Sequence, residues 1–291
     1  MKLEPVESPY LVPFDGSFRV SKAATKPPKD MRDKDENKKQ LKKQIGQLRE
    51  LQQQLYAHDR MALLLVFQAM DAAGKDGTIR AVMTGVNPAG CQVYSFKAPS
   101  SEELDHDFLW RNYRALPERG RIGIFNRSHY EEVLVVRVHP EFLEKQMLPE
   151  PIEPEALWPT RYKAIRAAER HWFQSGTAVL KFWLNVSKDE QRRRFLDRID
   201  QPEANWKFSA RDVEERKHWD KYMAAYQDAL RETSRPWAPW YAVPADDKAY
   251  MRRVVADIVV QTLKRMGLKY PSVSAAARAE LLARRAELEQ D

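Results

Sequence analysis

The chain has 291 residues, 43% of them hydrophobic, which is enough apolar material for a sizeable core in one domain with appendages or in two domains. Its single cysteine, Cys91, excludes an internal disulfide and a thiolate metal cluster, and no apolar run approaches the roughly 18 residues of a membrane span. With 49 Lys plus Arg against 42 Asp plus Glu the net charge is +7, which favours an anionic partner; the first residues lack the apolar region of a signal peptide, so a cytoplasmic location is expected.

Residues 1–35 combine scattered prolines with the charged run Lys29 to Asp35 and are expected to form an N-terminal extension that buries little surface. Beyond it, Leu41, Ile45, Leu48, Leu51 and Leu55 recur at three- and four-residue steps, predicting an amphipathic helix with a lysine-rich outer face. Met61 to Phe67 is a continuous apolar run of the kind buried on both faces of a parallel sheet, and similar runs stand at 91–96, 122–125, 179–186 and 240–243. Helical patterns lie between them. Ser100 and Glu103 stand at capping-box spacing at the head of a helix over 100–115. Trp158, Tyr162, Ile165 and Trp172 make one apolar stripe, and Trp219, Tyr222, Met223, Tyr226 and Leu230 another. Alternating strands and helices give an α/β domain with a parallel sheet of about five strands between helices. The last twenty residues predict a peripheral helix, so the chain divides into the extension, a domain over 36–270 and a helical tail over 271–291.

Directly after the first apolar run stands Ala69-Met70-Asp71-Ala72-Ala73-Gly74-Lys75-Asp76-Gly77-Thr78, followed by residues able to start a helix. Strand, small-residue loop and helix in that order form a phosphate cradle: backbone N–H groups converge on the anion, the helix dipole faces it, and a lysine reaches the transferred group. Gly74, Lys75 and Gly77 supply these parts. The pattern departs from G-x-x-x-x-G-K-[ST], because Ala69 replaces the first glycine and Asp76 stands where a metal-binding hydroxyl is expected. Asp71 beside bound phosphates implies a cation between them or the placement of an attacking oxygen; as a plain structural residue it would be a helix cap, a role equally open to Asp76. The run Ile122 to Phe125 ends in Asn126 and Arg127, at the position where open α/β sheets bind ligands, with Arg127 available as a charge-stabilising cation.

At this point the sequence resembles the family-2 polyphosphate kinases. The likeness runs from about Tyr56 to Met266 and rests on Met70 to Gly77, Phe125 to Glu131, Gln191 to Phe195 and Trp237 to Lys248. It implies a P-loop kinase fold of the thymidylate-kinase type and phosphoryl transfer between inorganic polyphosphate and nucleotides with Mg²⁺, for which Mn²⁺ can substitute. Asn126, where many relatives carry Asp, resembles the class III subgroup, which phosphorylates both AMP and ADP to give ADP and ATP. The resemblance assigns Asp71, Lys75 and Arg127 to catalysis. The chemistry of the cradle adds expected phosphate and nucleotide contacts from Ala73, Gly74, Asp76, Gly77, Thr78, Asn126 and Glu131, and a metal held by Asp71 with help from Asn126. A homo-oligomer is implied as well, with neither nucleic acid nor membrane as partner.

The segment after the fourth run, about 187–211, resembles that family's lid. Ser187 and Glu190 have helix-start character, and Arg194 and Arg198, four apart, share a face suited to phosphate. The histidines, His129 included, are expected to be structural. Two other functions remain open from sequence: an ATP-dependent nucleoside monophosphate kinase on the same fold, and a noncatalytic polyanion-binding protein.

Overall fold

The computed structural model describes residues 2–149 and 153–290. Helix α1 (Lys34–His58) precedes strand β1 (Ala62–Gln68), α2 (Lys75–Val82) and β2 (Cys91–Ser95). Two short helices, α3 (Ser101–Leu104) and α4 (Trp110–Arg114), lead to β3 (Ile122–Asn126). Then come α5 (Val135–Val138), α6 (Pro154–Gln174), β4 (Thr177–Asn185), α7 (Lys188–Asp200), α8 (Ala210–Lys217) and α9 (Trp219–Thr233). Strand β5 (Trp240–Pro244), α10 (Lys248–Arg265) and α11 (Ala275–Leu288) complete the order.

The five strands form one parallel sheet in the order β2-β3-β1-β4-β5. Every apolar run named above became one of these strands. β1 is buried along its whole length because helices cover both faces, which is why its sequence is continuous rather than alternating. The chain leaves β1 toward β2, returns to β3, then crosses β1 to reach β4. That reversal leaves a crevice beyond the carboxyl ends of β1 and β3, where open α/β sheets take their ligands.

The stripe of α1 packs on α10, burying Leu48 and Leu55. The helix expected over 100–115 is two pieces: Ser100 and Glu103 do make the reciprocal capping box, but α3 ends after one turn and α4 restarts at Trp110. The expectation that residues 1–35 bury little surface gives way. Leu11 pairs antiparallel with Tyr241 of β5, the Val12 N–H donates to the Trp240 carbonyl (2.9 Å), the Ala242 N–H to that of Tyr10 (2.8 Å), and Val6 and Val12 are buried. Composition missed this strap because backbone hydrogen bonds, indifferent to side-chain type, carry most of it.

Behind the sheet's ligand edge lies a buried polar cluster. Lys181, in the middle of β4 and fully buried, donates to Glu169 Oε2 (2.6 Å), the Tyr130 hydroxyl (2.8 Å) and the Thr233 carbonyl (2.8 Å). Tyr130 donates to Glu169 Oε1 (2.8 Å), and His129 Nε2 lies 3.4 Å from the same oxygen. Burial pushes Lys181 down to about 8 against the pull of Glu169. It lowers His129 as well. Burial alone would raise Glu169, but Lys181 and His129 outweigh it and hold the carboxyl below its ordinary value. His129 is therefore a structural residue that anchors the segment after β3.

Candidate active site

Between β1 and α2 the backbone turns through two left-handed positions, Ala72 (φ 59°) and Gly74 (φ 104°), and α2 starts at Lys75 with Gly74 as its cap. A side chain at Gly74 would be strained by that φ and would stand 3.4 Å from the Met251 methyl. The Thr78 hydroxyl and N–H both donate to the Gly74 carbonyl at 2.9 Å, so this buried residue secures the helix start. Lys75 folds back over the loop and its Nζ donates to the Ala69 carbonyl (2.7 Å). Burial lowers its pKa, and Arg127 adds to the effect, while Asp71, Glu131 and Asp76 oppose it.

β3 delivers the second half of the site. Arg127 sits at φ 64°, an uncommon conformation for a long side chain, and its N–H donates to the Phe67 carbonyl (3.1 Å). The guanidinium thereby crosses to the β1 loop. Its Nη2 donates to Asp71 Oδ1 (3.2 Å), and Nη1 lies 3.6 Å from Glu131 Oε2. Glu131 and Asp71 hold Arg127 above its ordinary pKa against the effect of burial. Burial raises Glu131 in turn, opposed by Arg127 and Lys75. Asn126 donates its amide to Asp76, the residue in the place of the expected hydroxyl. The next residue, Glu132, accepts from Arg161 and Gln146.

α7 carries the lid arginines, and they differ. Arg194 is buried, and every donor is committed: Nε to Glu190, Nη1 to the carbonyls of Ala72 (3.0 Å) and Ala73 (2.8 Å), Nη2 to those of Ala245 (2.6 Å) and Asp246 (3.2 Å). These bonds make Arg194 a clamp that ties the loop to the end of β5, and the same residue lines the larger cleft described below. Arg198 is partly exposed, 3.6 Å from Asp212, and faces the cleft. Ser187 caps α7 by accepting from the Glu190 N–H, but Asp246 rather than Glu190 takes the Ser187 N–H.

Two clefts meet over Asp71 and Arg127. The larger, of about 1090 Å³, runs along Gly74, Lys75, Asp76, Gly77 and Asn126 beneath Arg198 and Lys207. The smaller, of about 490 Å³, is walled by Phe96, Arg111, Glu131, Tyr222 and Tyr226. Asp212 borders both, its pKa raised by burial and by Asp71. Sequence reasoning missed several of these groups. Lys248 and Arg252, four apart on α10, point one face into the larger cleft, and that spacing was the available signal. Tyr222 and Tyr226 were read as core, which they also are, so periodicity alone could not reveal their second face. Among the described residues no three His, Cys, Asp or Glu side chains gather as a metal cluster. The carboxylate of Asp71 and the amide oxygen of Asn126 nevertheless suit a hard cation that draws its other ligands from phosphates and water.

Residues 31–271 match the family model described as Polyphosphate kinase 2 (PPK2). An ADP-polyphosphate phosphotransferase of Rhodopseudomonas palustris is 56% identical over 249 residues, covering 85% of this chain and 86% of that protein. An AMP/ADP-polyphosphate phosphotransferase of Meiothermus ruber is 47% identical over 230 residues, 79% of this chain and 82% of its own. The crystal structure of polyphosphate kinase 2 from Arthrobacter aurescens TC1 superposes with a TM-score of 0.83 at 35% identity, over 97% of this chain and all of that one. The fold is that of a P-loop kinase.

Proposed function

The chain belongs to the polyphosphate kinase 2 family, and on that premise we propose that it transfers the terminal phosphoryl group of inorganic polyphosphate to AMP and ADP, giving ADP and ATP. The observation that carries the reading is the junction of two unlike clefts at Asp71 and Arg127. The larger is lined by nine lysines and arginines against four aspartates and suits a polymer that offers only phosphate oxygens. The smaller joins cations to the aromatic walls of Phe96, Tyr222 and Tyr226, which suits a nucleotide.

In the transfer, an oxygen of the nucleotide's terminal phosphate forms a bond to the last phosphorus of the chain. The bond from that phosphorus to its bridging oxygen breaks, and the shortened chain keeps the electron pair. The attacking phosphate is already ionised near neutral pH, so a strong general base is unnecessary. Catalysis is therefore mostly placement and charge stabilisation. Lys75 and Arg127 donate to the transferred group, Arg127 held in place by Asp71 and Glu131. Gly74, Gly77 and the N–H groups at the head of α2 cradle the chain, and Arg198 approaches from the lid. Mg²⁺ held by Asp71 and Asn126 would, when bound, neutralise charge between the two phosphates. Arg194 fixes the loop carbonyls beneath.

The same reading places the enzyme in the cytoplasm, with the nucleotide pool; no helix among the described residues is long and apolar enough to cross a membrane. Exposed Leu281, Leu282 and Leu288 on α11 support a homo-oligomer. Incubation with AMP, long-chain polyphosphate and Mg²⁺ is expected to yield ADP and then ATP. Phosphorylation of AMP by ATP alone, with polyphosphate inert, would reject the proposal in favour of an ordinary nucleotide kinase.

A further inference from the structure

At the opposite end of the sheet, where the chain enters β4 and β5, lies a separate open groove of about 440 Å³. Arg166, Arg170 and His171 of α6 and Arg235 and Trp237 of the loop before β5 line it, and no carboxylate does. Glu232, the acid nearest to hand, bonds Arg166 (3.2 Å) from outside the groove. Arg170 finds no hydrogen-bond acceptor among the described residues; its guanidinium lies over the Trp237 ring at 5.4 Å. Among the described residues Arg235 finds acceptors only for Nη1, the carbonyls of Ser234 and Arg231, and none for Nε and Nη2. The Trp237 indole N–H is buried and has no acceptor among the described residues. Burial, and then the like charge of Arg166, lower the pKa of Arg235.

A groove that offers donors from three guanidiniums, and no acceptor side chain of opposite charge, is complementary to a compact multivalent anion. We propose that it binds a short run of linked phosphates, as a second site apart from the phosphate loop. Guanidinium forks match phosphate oxygens two at a time, and an anion between Arg166 and Arg235 would relieve their repulsion. A nucleotide fits less well, because Arg170 already covers the indole face on which a base would stack. The assignment does not depend on which reaction the phosphate loop performs.

The chain holds eight tryptophans, so full-length protein labelled with 5-fluorotryptophan gives a resonance for Trp237 that is assigned by Trp237→Phe. Titration with inorganic tripolyphosphate at constant ionic strength is expected to move that resonance saturably. In Arg170→Gln the midpoint is expected to weaken by about 10-fold, the loss of a charge-assisted contact, and Arg170→Lys to recover part of it. Phosphoryl transfer from tripolyphosphate should stay within about twofold in both variants, as Arg170 touches neither cleft. The proposal is overturned if the resonance does not move, if Arg170→Gln leaves the midpoint unchanged, or if sulfate at equal ionic strength moves it equally. A tighter response to ATP than to tripolyphosphate would overturn the choice of an inorganic ligand.

Discussion

Removal of Arg194 separates a clamp from a phosphate contact. In Arg194→Ala, the carbonyls of Ala73 and Ala245 lose donors in buried surroundings, while those of Ala72 and Asp246 lie where water can replace the guanidinium. Two orphaned buried acceptors cost about 1–3 kcal/mol each, so about 2–6 kcal/mol of stability should go. For a chain of this size that lowers Tm by roughly 5–15 °C. Arg194→Lys keeps the charge but offers one ammonium where five N–H groups served four carbonyls and Glu190, so it should recover little. Urea unfolding measures the first quantity, and steady-state kinetics with polyphosphate shows kcat falling alongside it as the loop loosens. If Arg194→Ala unfolds within about 1 kcal/mol of the native chain while Arg194→Lys restores activity, the residue acts through its charge and the clamp is refuted.

Asp71→Asn should lower kcat by about 100-fold or more and leave polyphosphate affinity within a few-fold, as checked by rapid kinetics against equilibrium binding; equal losses in both would make Asp71 a binding residue. Because burial depresses Lys75, the free enzyme should lose this cation at a pH below the ordinary lysine value of 10.5. The alkaline limb of kcat/KM should therefore fall below 10.5 and move upward in Lys75→Arg, provided that variant turns over; a native limb at or above 10.5 would contradict the assignment. Lys181→Met leaves Glu169 buried without its cation and should cost about 3–5 kcal/mol, whereas Lys181→Met with Glu169→Leu should regain most of it; a double variant no better than the single would show that the pair is not the source. Lys181 titrates near 8 in the folded chain against 10.5 unfolded, so the unfolded chain binds more protons between those values. Stability attributable to this group should rise with pH across that window, and the rise should be missing from Lys181→Met.

The strands β1, β3, β4 and β5 were legible because burial on both faces writes a largely apolar run, whereas β2, whose residues are half-buried or exposed, showed only a short apolar-rich stretch; the loop was legible because a phosphate cradle must have small residues before a lysine at a helix start. Arg127 was legible as the residue at a strand end. What it touches was not, since the contact to Asp71 depends on a left-handed backbone turn that no residue type at 127 announces. Arg194 shows the limit most clearly. Its place four residues before Arg198 on a basic helix reads as a cation facing a ligand; besides Glu190, one turn earlier, its partners are four main-chain oxygens, and these have no signature in sequence. Lys181 did leave a trace, a charge in the middle of an apolar strand, but its counterion Glu169 lies on a different element and only packing joins them.

The antiparallel contact of Leu11 with Tyr241 also bears on solubility. An uncovered outer strand presents a ladder of amide and carbonyl groups that other chains can extend, and residues before α1 occupy that ladder at β5. The opposite border, β2, is five residues long, with Val93 and Tyr94 turned to solvent. Shortening the chain from its start would thus open a second adhesive margin and convert a sheet with one bare flank into one with two, able to grow in both directions.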